Sequence, residues 1–195
     1  MIYLLTFTAY GTHLPRDARG SIDRHERRLA PRPALATFAK ALTSEPPFQM
    51  DHLRDREAVR DEIIRTCNYR QWRLLALHVR IEHVHAVVQA EDAPPTRVIG
   101  EWKAYSTRVL EQHWTTRQHF WTSGGDVRHV QGAALASVIR YVLDEQGEFM
   151  TTYDASKSSA RVPRRSRGRL ARYPPTTMPH PAAPAMKCLF QRNHP

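Results

Sequence analysis

The chain opens on a run of β-forming residues, Ile2-Tyr-Leu-Leu-Thr-Phe-Thr-Ala-Tyr10, closed by Gly11, and this predicts a first strand. Turn-forming residues then punctuate a long connector: Gly11, Pro15, Asp17 and Gly20, followed by Pro31, Pro33, Pro46 and Pro47. One short helix fits between Ala34 and Leu42. So long an insertion in a small domain is more often functional than idle. From Asp55 to Cys67 the apolar residues Ala58, Val59, Ile63, Ile64 and Cys67 recur near helical spacing, which predicts an amphipathic helix. Trp72 to Val79 and His83 to Gln89 are strand-like runs separated by Arg80-Ile81-Glu82, the length of a hairpin loop. After Pro94-Pro95 a second helix is predicted over Thr96 to Gln112, with Val98, Ile99, Trp102, Tyr105, Val109 and Leu110 as its apolar side. Phe120-Trp121 and Val127 to Val130 read as short strands around Gly124-Gly125. A third helix runs from Ala133 to Gln146, closed by Gly147.

The order β–α–β–β–α–β–(β)–α predicts an α+β fold, a ferredoxin-like (RRM-like) antiparallel sheet with helices packed on one face. There is no internal repeat, no Gly-rich phosphate loop and no His-Glu-x-x-His zinc pattern. Residues 1–150 are expected to form this domain.

Charge sets the remainder apart. The formal net charge is +10, yet from Ala155 to Pro195 there are nine basic residues and no acidic one, which leaves residues 1–154 almost neutral. Seven of the fourteen prolines also fall in this tail. Like charge, proline and low hydrophobicity cannot offset the entropy cost of ordering, so residues 151–195 are expected to be a disordered Arg/Pro-rich tail. Its run from Arg161 to Arg172, with Arg164, Arg165, Arg167 and Arg169 at its centre, suits a phosphate-binding arm, because each cation that neutralises a phosphate releases a counterion. A solubilising tail without a specific partner has the same composition.

No stretch approaches the ~20 apolar residues of a membrane span, and Ile2 to Phe7 lacks the basic flank and cleavage site of a secretory signal. Cys67 and Cys188 are too few for a disulfide scaffold or a four-cysteine zinc site. A reduced, cytoplasmic protein is expected.

His83-Val84-His85 lies inside a predicted strand, where side chains at i and i+2 leave the same face and both imidazoles can reach one cation. With eleven histidines in the chain, chance supplies about 0.6 such pairs, and two half-buried histidines are an equally ordinary outcome. Tyr141 adds weight. It sits at the margin of the stripe Leu135, Val138, Ile139 and Val142 on the third helix, and Asp144 and Glu145 share its face. A helix packed across the sheet then brings a phenol and a carboxylate to the histidines. Tyrosines at helix margins also commonly just complete a core.

Taken together, the motifs resemble a known family. The string Trp72-Arg-Leu-Leu-Ala-Leu-His-Val-Arg-Ile-Glu-His-Val-His-Ala-Val-Val88, the helix with Trp102-Lys103-Ala104-Tyr105-Ser106-Thr107-Arg108, Phe120-Trp121-Thr-Ser-Gly-Gly125 and Tyr141-Val-Leu-Asp-Glu-Gln146 resemble the HUH single-tyrosine transposases. These comprise insertion-sequence enzymes and REP-associated tyrosine transposases. The opening Leu4-Leu-Thr-Phe-Thr-Ala-Tyr-Gly-Thr-His-Leu-Pro15 is similar to one branch of that group, which often has Gly where this chain has Arg16. The resemblance covers about residues 1–150. By it, His83 and His85 match the metal-binding histidines and Tyr141 the nucleophile. The family's third ligand is usually a Gln about one helical turn after the tyrosine. Here Gln146 lies five residues on and Glu145 four. On a regular helix i+5 points ~140° away and i+4 only ~40°, so geometry favours Glu145 and residue type Gln146, and both stand as candidates.

The resemblance further implies a divalent metal, Mg²⁺ or Mn²⁺, and a single-stranded DNA substrate flanked by a hairpin. Some members act as homodimers that donate the tyrosine helix across the interface, others as monomers. Lys103 and Arg108 are candidate contacts to phosphate backbone, and Trp72, Trp102 and Trp121 fit core packing ahead of base stacking. The competing readings are a domesticated nickase, a non-catalytic nucleic-acid-binding domain of the same fold, and a metal-dependent hydrolase in which Tyr141 is structural. An RNA-recognition module needs exposed aromatics on its central strands, where this chain has His83 and His85. Removing residues 155–195 is expected to weaken DNA binding and to flatten its salt dependence by about 0.7 in log–log slope per lost phosphate contact. An unchanged slope in salt titrations refutes the arm.

Overall fold

The computed structural model describes residues 1–12, 21–22, 28–41 and 43–158. Residues up to Val162 form one compact unit, and the second unit, Pro163–Pro195, falls outside the described residues. Residues 159–195 of the expected tail, with the arm (Arg164, Arg165, Arg167, Arg169), therefore lie outside what is described, as do Arg16 and its neighbours, whereas residues 151–158 form a strand and a short helix.

The unit is built on a five-stranded antiparallel sheet in the order β6-β1-β5-β4-β7, from β1 (Ile2–Thr8), β4 (Arg73–Val79), β5 (His83–Gln89), β6 (Asp126–His129) and β7 (Thr151–Asp154). Two residue pairs in the connector, β2 (Ser21–Ile22) and β3 (Arg28–Leu29), make a separate small hairpin. The helices are α1 (Pro33–Ala41), α2 (Leu53–Arg70), α3 (Pro95–Leu110), α4 (Leu135–Asp144) and α5 (Ala155–Ser158). This is the expected α+β antiparallel-sheet architecture, with α2 and α3 packed on one face and α4 against the other.

Alternation along β1 and β5 divides the core. Tyr3, Leu5 and Phe7 of β1 and Val84, Ala86 and Val88 of β5 join Val59 and Ile63 of α2 and Val98, Ile99, Trp102 and Leu110 of α3 in one buried cluster. The two long helices thus share one face of the sheet, as their apolar stripes predict. Trp72 and Trp102 are buried and belong to this core. Leu4, Val87, Leu75 and Ala76 point the other way, where Val142 of α4 completes a second cluster edged by Leu135, Val138, Ile139 and Leu143. A β-bulge between Leu74 and Ala76 lets β4 serve both clusters.

Three elements depart from the sequence-based expectation. Phe120-Trp121 is not a strand, and Trp121 makes only an isolated bridge to Ala9. The third helix is shorter than 133–146: a 3-10 turn over Gly132–Ala134 precedes α4, which ends at Asp144 with Glu145 as its cap. The sheet also continues past residue 150, since β7 pairs with β4. Four residues as polar as Thr151-Thr-Tyr-Asp154 carry little strand signal. The free edge of β4, together with burial of Thr151 and packing of Tyr153, orders them. Among the described residues no helix is long and apolar enough to cross a membrane.

Gly125 abuts β1. A Cβ there would lie 2.9 Å from the Thr6 carbonyl oxygen and 2.9 Å from Ile99 Cδ1, whereas one on Gly100, inside α3, would meet nothing within 4 Å. Gly125→Ala is expected to destabilise the chain by about 1–3 kcal/mol, and Gly100→Ala to stabilise it by about 0.4–1 kcal/mol. Urea denaturation of both variants tests the contrast.

Candidate active site

The strand register lays polar side chains in one row across the sheet face that carries α4. Asp126 pairs with Thr6, Thr6 with His85, His85 with His78, and His78 with Thr152, so the row crosses all five strands. On one side of it lie the apolar residues under α4, including Leu4 and Val87. On the other lies the pair Thr8 and His83.

His83 and His85 leave this face together, with ring centroids 4.7 Å apart. His85 Nδ1 lies 2.8 Å from Thr6 Oγ1. With Nδ1–H donating to that hydroxyl, the Nε2 lone pair is free to act as a ligand, the arrangement that outer-shell partners impose on metal-binding histidines. Burial, reinforced by His83, His78, Arg80 and Arg128, pushes the His85 pKa down to about 3. Near neutral pH His85 is therefore the uncharged imidazole that ligation requires.

Tyr141 reaches the same place from α4. Its ring centroid lies 6.2 Å from that of His85 within a single chain, and 41% of the residue remains exposed. The helix presents it there because Leu135, Val138, Ile139 and Val142 anchor the stripe beside it to the sheet. The phenol is accessible from solvent and adjacent to the histidine pair.

The two third-ligand candidates are engaged elsewhere. Glu145 accepts from Arg140 Nε at 3.3 Å. The Gln146 amide donates to the Tyr141 carbonyl at 3.0 Å. Because α4 ends at Asp144, neither follows regular helical angles, and the ~140° and ~40° offsets do not apply to them. Among the described residues no three His, Cys, Asp or Glu side chains converge as a metal cluster. The paired imidazoles fit a divalent transition ion such as Mn²⁺ as two of its ligands, with either side chain at the end of α4 in sequence reach.

The other predicted contacts do not join the site. Lys103 and Arg108 belong to α3, on the opposite face of the sheet. Lys103 donates to the carbonyls of Thr122 (2.6 Å) and Gly124, and burial pulls its pKa down to about 8. It braces the loop before β6. The Arg108 guanidinium lies over the Tyr105 ring at 5.0 Å. Burial pushes the Cys67 thiol up to about 12, which leaves it unreactive.

The sequence motifs do not single out His78, yet it belongs to the site. It is 1% exposed and sits beside His85 in the sheet. Its Nδ1 lies 3.0 Å from the Val142 carbonyl of α4, and since that oxygen only accepts, Nδ1 carries the proton. Burial lowers its pKa, opposed by this bond. A lone histidine in the otherwise apolar run Leu74-Leu-Ala-Leu-His-Val79 is the available signal.

The transposase family described as IS200-like matches residues 49–145, which include His83, His85 and Tyr141. No curated protein matches. Among solved structures, a candidate transposase from Deinococcus radiodurans R1 is 14% identical, with 73% of this chain and 88% of that one covered and a TM-score of 0.41. A REP-associated tyrosine transposase bound to a REP hairpin is 12% identical, with 88% of each chain covered and a TM-score of 0.45.

The depressed His85 pKa carries a sign. The unfolded chain takes up this proton near pH 6.5 and the folded one only near pH 3, so the metal-free chain loses stability as pH falls through that window. His85→Gln removes this contribution. Its stability–pH profile between pH 6.5 and 3, from urea melts in chelator, is expected to be flatter than that of the unmodified chain.

Proposed function

The chain belongs to the IS200-like single-tyrosine transposase family, and we propose on that basis that it cleaves and rejoins single-stranded DNA at hairpin-flanked sites through a 5′-phosphotyrosine intermediate. The observation that carries this reading is the approach of Tyr141 to His85 within one chain. Tyr141 stays 41% exposed while Val142 and its apolar neighbours anchor the helix, which supports this reading.

In this reading the Tyr141 oxygen attacks the scissile phosphorus. The P–O3′ bond breaks and a P–O(Tyr141) bond forms. The phenol proton passes to solvent, and the departing 3′-oxygen takes one up. Exchange of one phosphodiester for another conserves the bond energy, so a 3′-hydroxyl can later reverse the step and restore the phenol without ATP. Roughly 0.1% of a free phenol is ionised at neutral pH, so the reaction needs electrostatic help at the phosphate. A divalent metal, when bound, supplies it by polarising a non-bridging oxygen. His83 and His85 would hold that ion through ring-nitrogen lone pairs. Thr6 fixes the His85 ring, and Glu145 or Gln146 would complete the ligand set on turning from its present partner. The approach of Tyr141 to His85 within one chain supports assigning both roles to the same subunit in this reading.

The test is incubation of the full chain with labelled, hairpin-bearing single strands and Mn²⁺. A denaturation-resistant protein–DNA adduct is expected, reduced by at least about 10³-fold in Tyr141→Phe and lost in His83→Gln and His85→Gln. Cleavage that survives Tyr141→Phe points instead to a hydrolase, and binding without cleavage to a non-catalytic module.

A further inference from the structure

Helix α4 has ten residues, too few to hold itself in water, and buries only Val142 fully. What places Tyr141 over His85 must therefore come from tertiary contacts. Helix termini leave their last four carbonyls without intrahelical partners. In α4 these belong to Tyr141, Val142, Leu143 and Asp144. The Tyr141 carbonyl is met locally, by the Glu145 amide at 3.3 Å and the Gln146 side chain at 3.0 Å. The Val142 carbonyl is met from the sheet, by His78 Nδ1–H at 3.0 Å.

A second bond comes from the same edge of the hairpin. Arg80, two residues beyond His78 and so directed to the same face, donates from Nη1 to the Glu148 carbonyl at 2.9 Å. Its guanidinium also lies against Gly147, where a Cβ would come within 3.7 Å of Nη2. Gly147 has φ +82° and turns the chain there. His78 and Arg80 thus grip the two ends of Val142–Glu148, the segment that follows the nucleophile and contains both third-ligand candidates. His78 is also the cross-strand neighbour of His85. One side chain therefore ties β4, the strand paired with the histidine-bearing β5, to the helix bearing the phenol.

We propose that His78 and Arg80 are positioning residues that clasp the Val142–Glu148 segment to β4 and so hold Tyr141 in register with the His83–His85 pair. The catalytic half of this inference rests on the transposase reading above; the structural half does not. Near-attack geometry is steeply distance-dependent, and displacement by 1 Å can cost about 10²-fold in rate.

The experiment pairs His78→Leu, which fills the space without a donor, with His78→Asn, whose amide nitrogen stands near the Nδ1 position, and adds Arg80→Met. Amide hydrogen exchange is followed across residues 135–148 and across β1 and β5 in the full chain. Adduct formation is measured at saturating labelled hairpin strand with Mn²⁺, alongside DNA affinity. Expected for His78→Leu and Arg80→Met are faster exchange confined to 142–148, adduct formation slowed about 10- to 100-fold, and unchanged DNA affinity, with His78→Asn restoring most of both losses. Exchange and adduct rate unchanged in His78→Leu and Arg80→Met overturn the clasp. A His78→Asn variant as defective as His78→Leu shows that ring packing, not the donated bond, is what matters, and overturns it too. If His78→Leu exposes the whole sheet to exchange, Arg80→Met decides alone. If the unmodified chain forms no adduct, the transposase reading fails, while the exchange data still confirm or refute the grip on 142–148.

Discussion

The site depends on a row of polar side chains crossing a sheet face that is otherwise apolar under α4. Thr6, His85 and His78 stand at its centre, between Asp126 on one edge strand and Thr152 on the other. A buried polar group must find a hydrogen-bond partner or forfeit its solvation, and the bonds made by Thr6, His85 Nδ1 and His78 Nδ1 arrange the site. Thr6 orients His85. His78 donates its proton to the carbonyl of the residue after Tyr141. The same constraint that makes the row costly makes it specific.

Burial also sets the charge state of the site. His85 is too desolvated to hold a proton at neutral pH, and the nearby cations Arg80 and Arg128 push in the same direction. In the proposed function the uncharged His85 and its neighbour His83 are the residues that would hold a metal ion. The opposite face of the sheet serves as scaffold. There α3 braces the loop before β6 through Lys103, and Trp102 fills the core.

Much of this architecture is legible in residue patterns. The β1 run, the hairpin of β4 and β5 and the stripes of α2, α3 and α4 follow from periodicities of 2 and 3.6 that a half-buried element cannot avoid. The same period of 2 puts His83 and His85 on one face. What escapes such patterns is short or polar: β7, whose pairing is supplied by an existing sheet edge, and the bridge at Trp121, which is one residue wide. The end of α4 also differs, because Gln146 and the Glu145 amide turn back to the Tyr141 carbonyl and close the helix early.

Residue order alone dictates which positions alternate, which side of its element each belongs to, and that a histidine pair and a tyrosine lie on separate elements of one domain. These properties are local and repeat with the backbone. Packing was needed to establish that α4 crosses the histidine face and not the face taken by α2 and α3. It was needed equally to put Lys103 and Arg108 behind the sheet and to bring His78 and Arg80 to Val142 and Glu148. Those outcomes depend on strand register and on which buried carbonyls lack a donor. Both are properties of pairs of elements far apart in the chain, and no single segment encodes them.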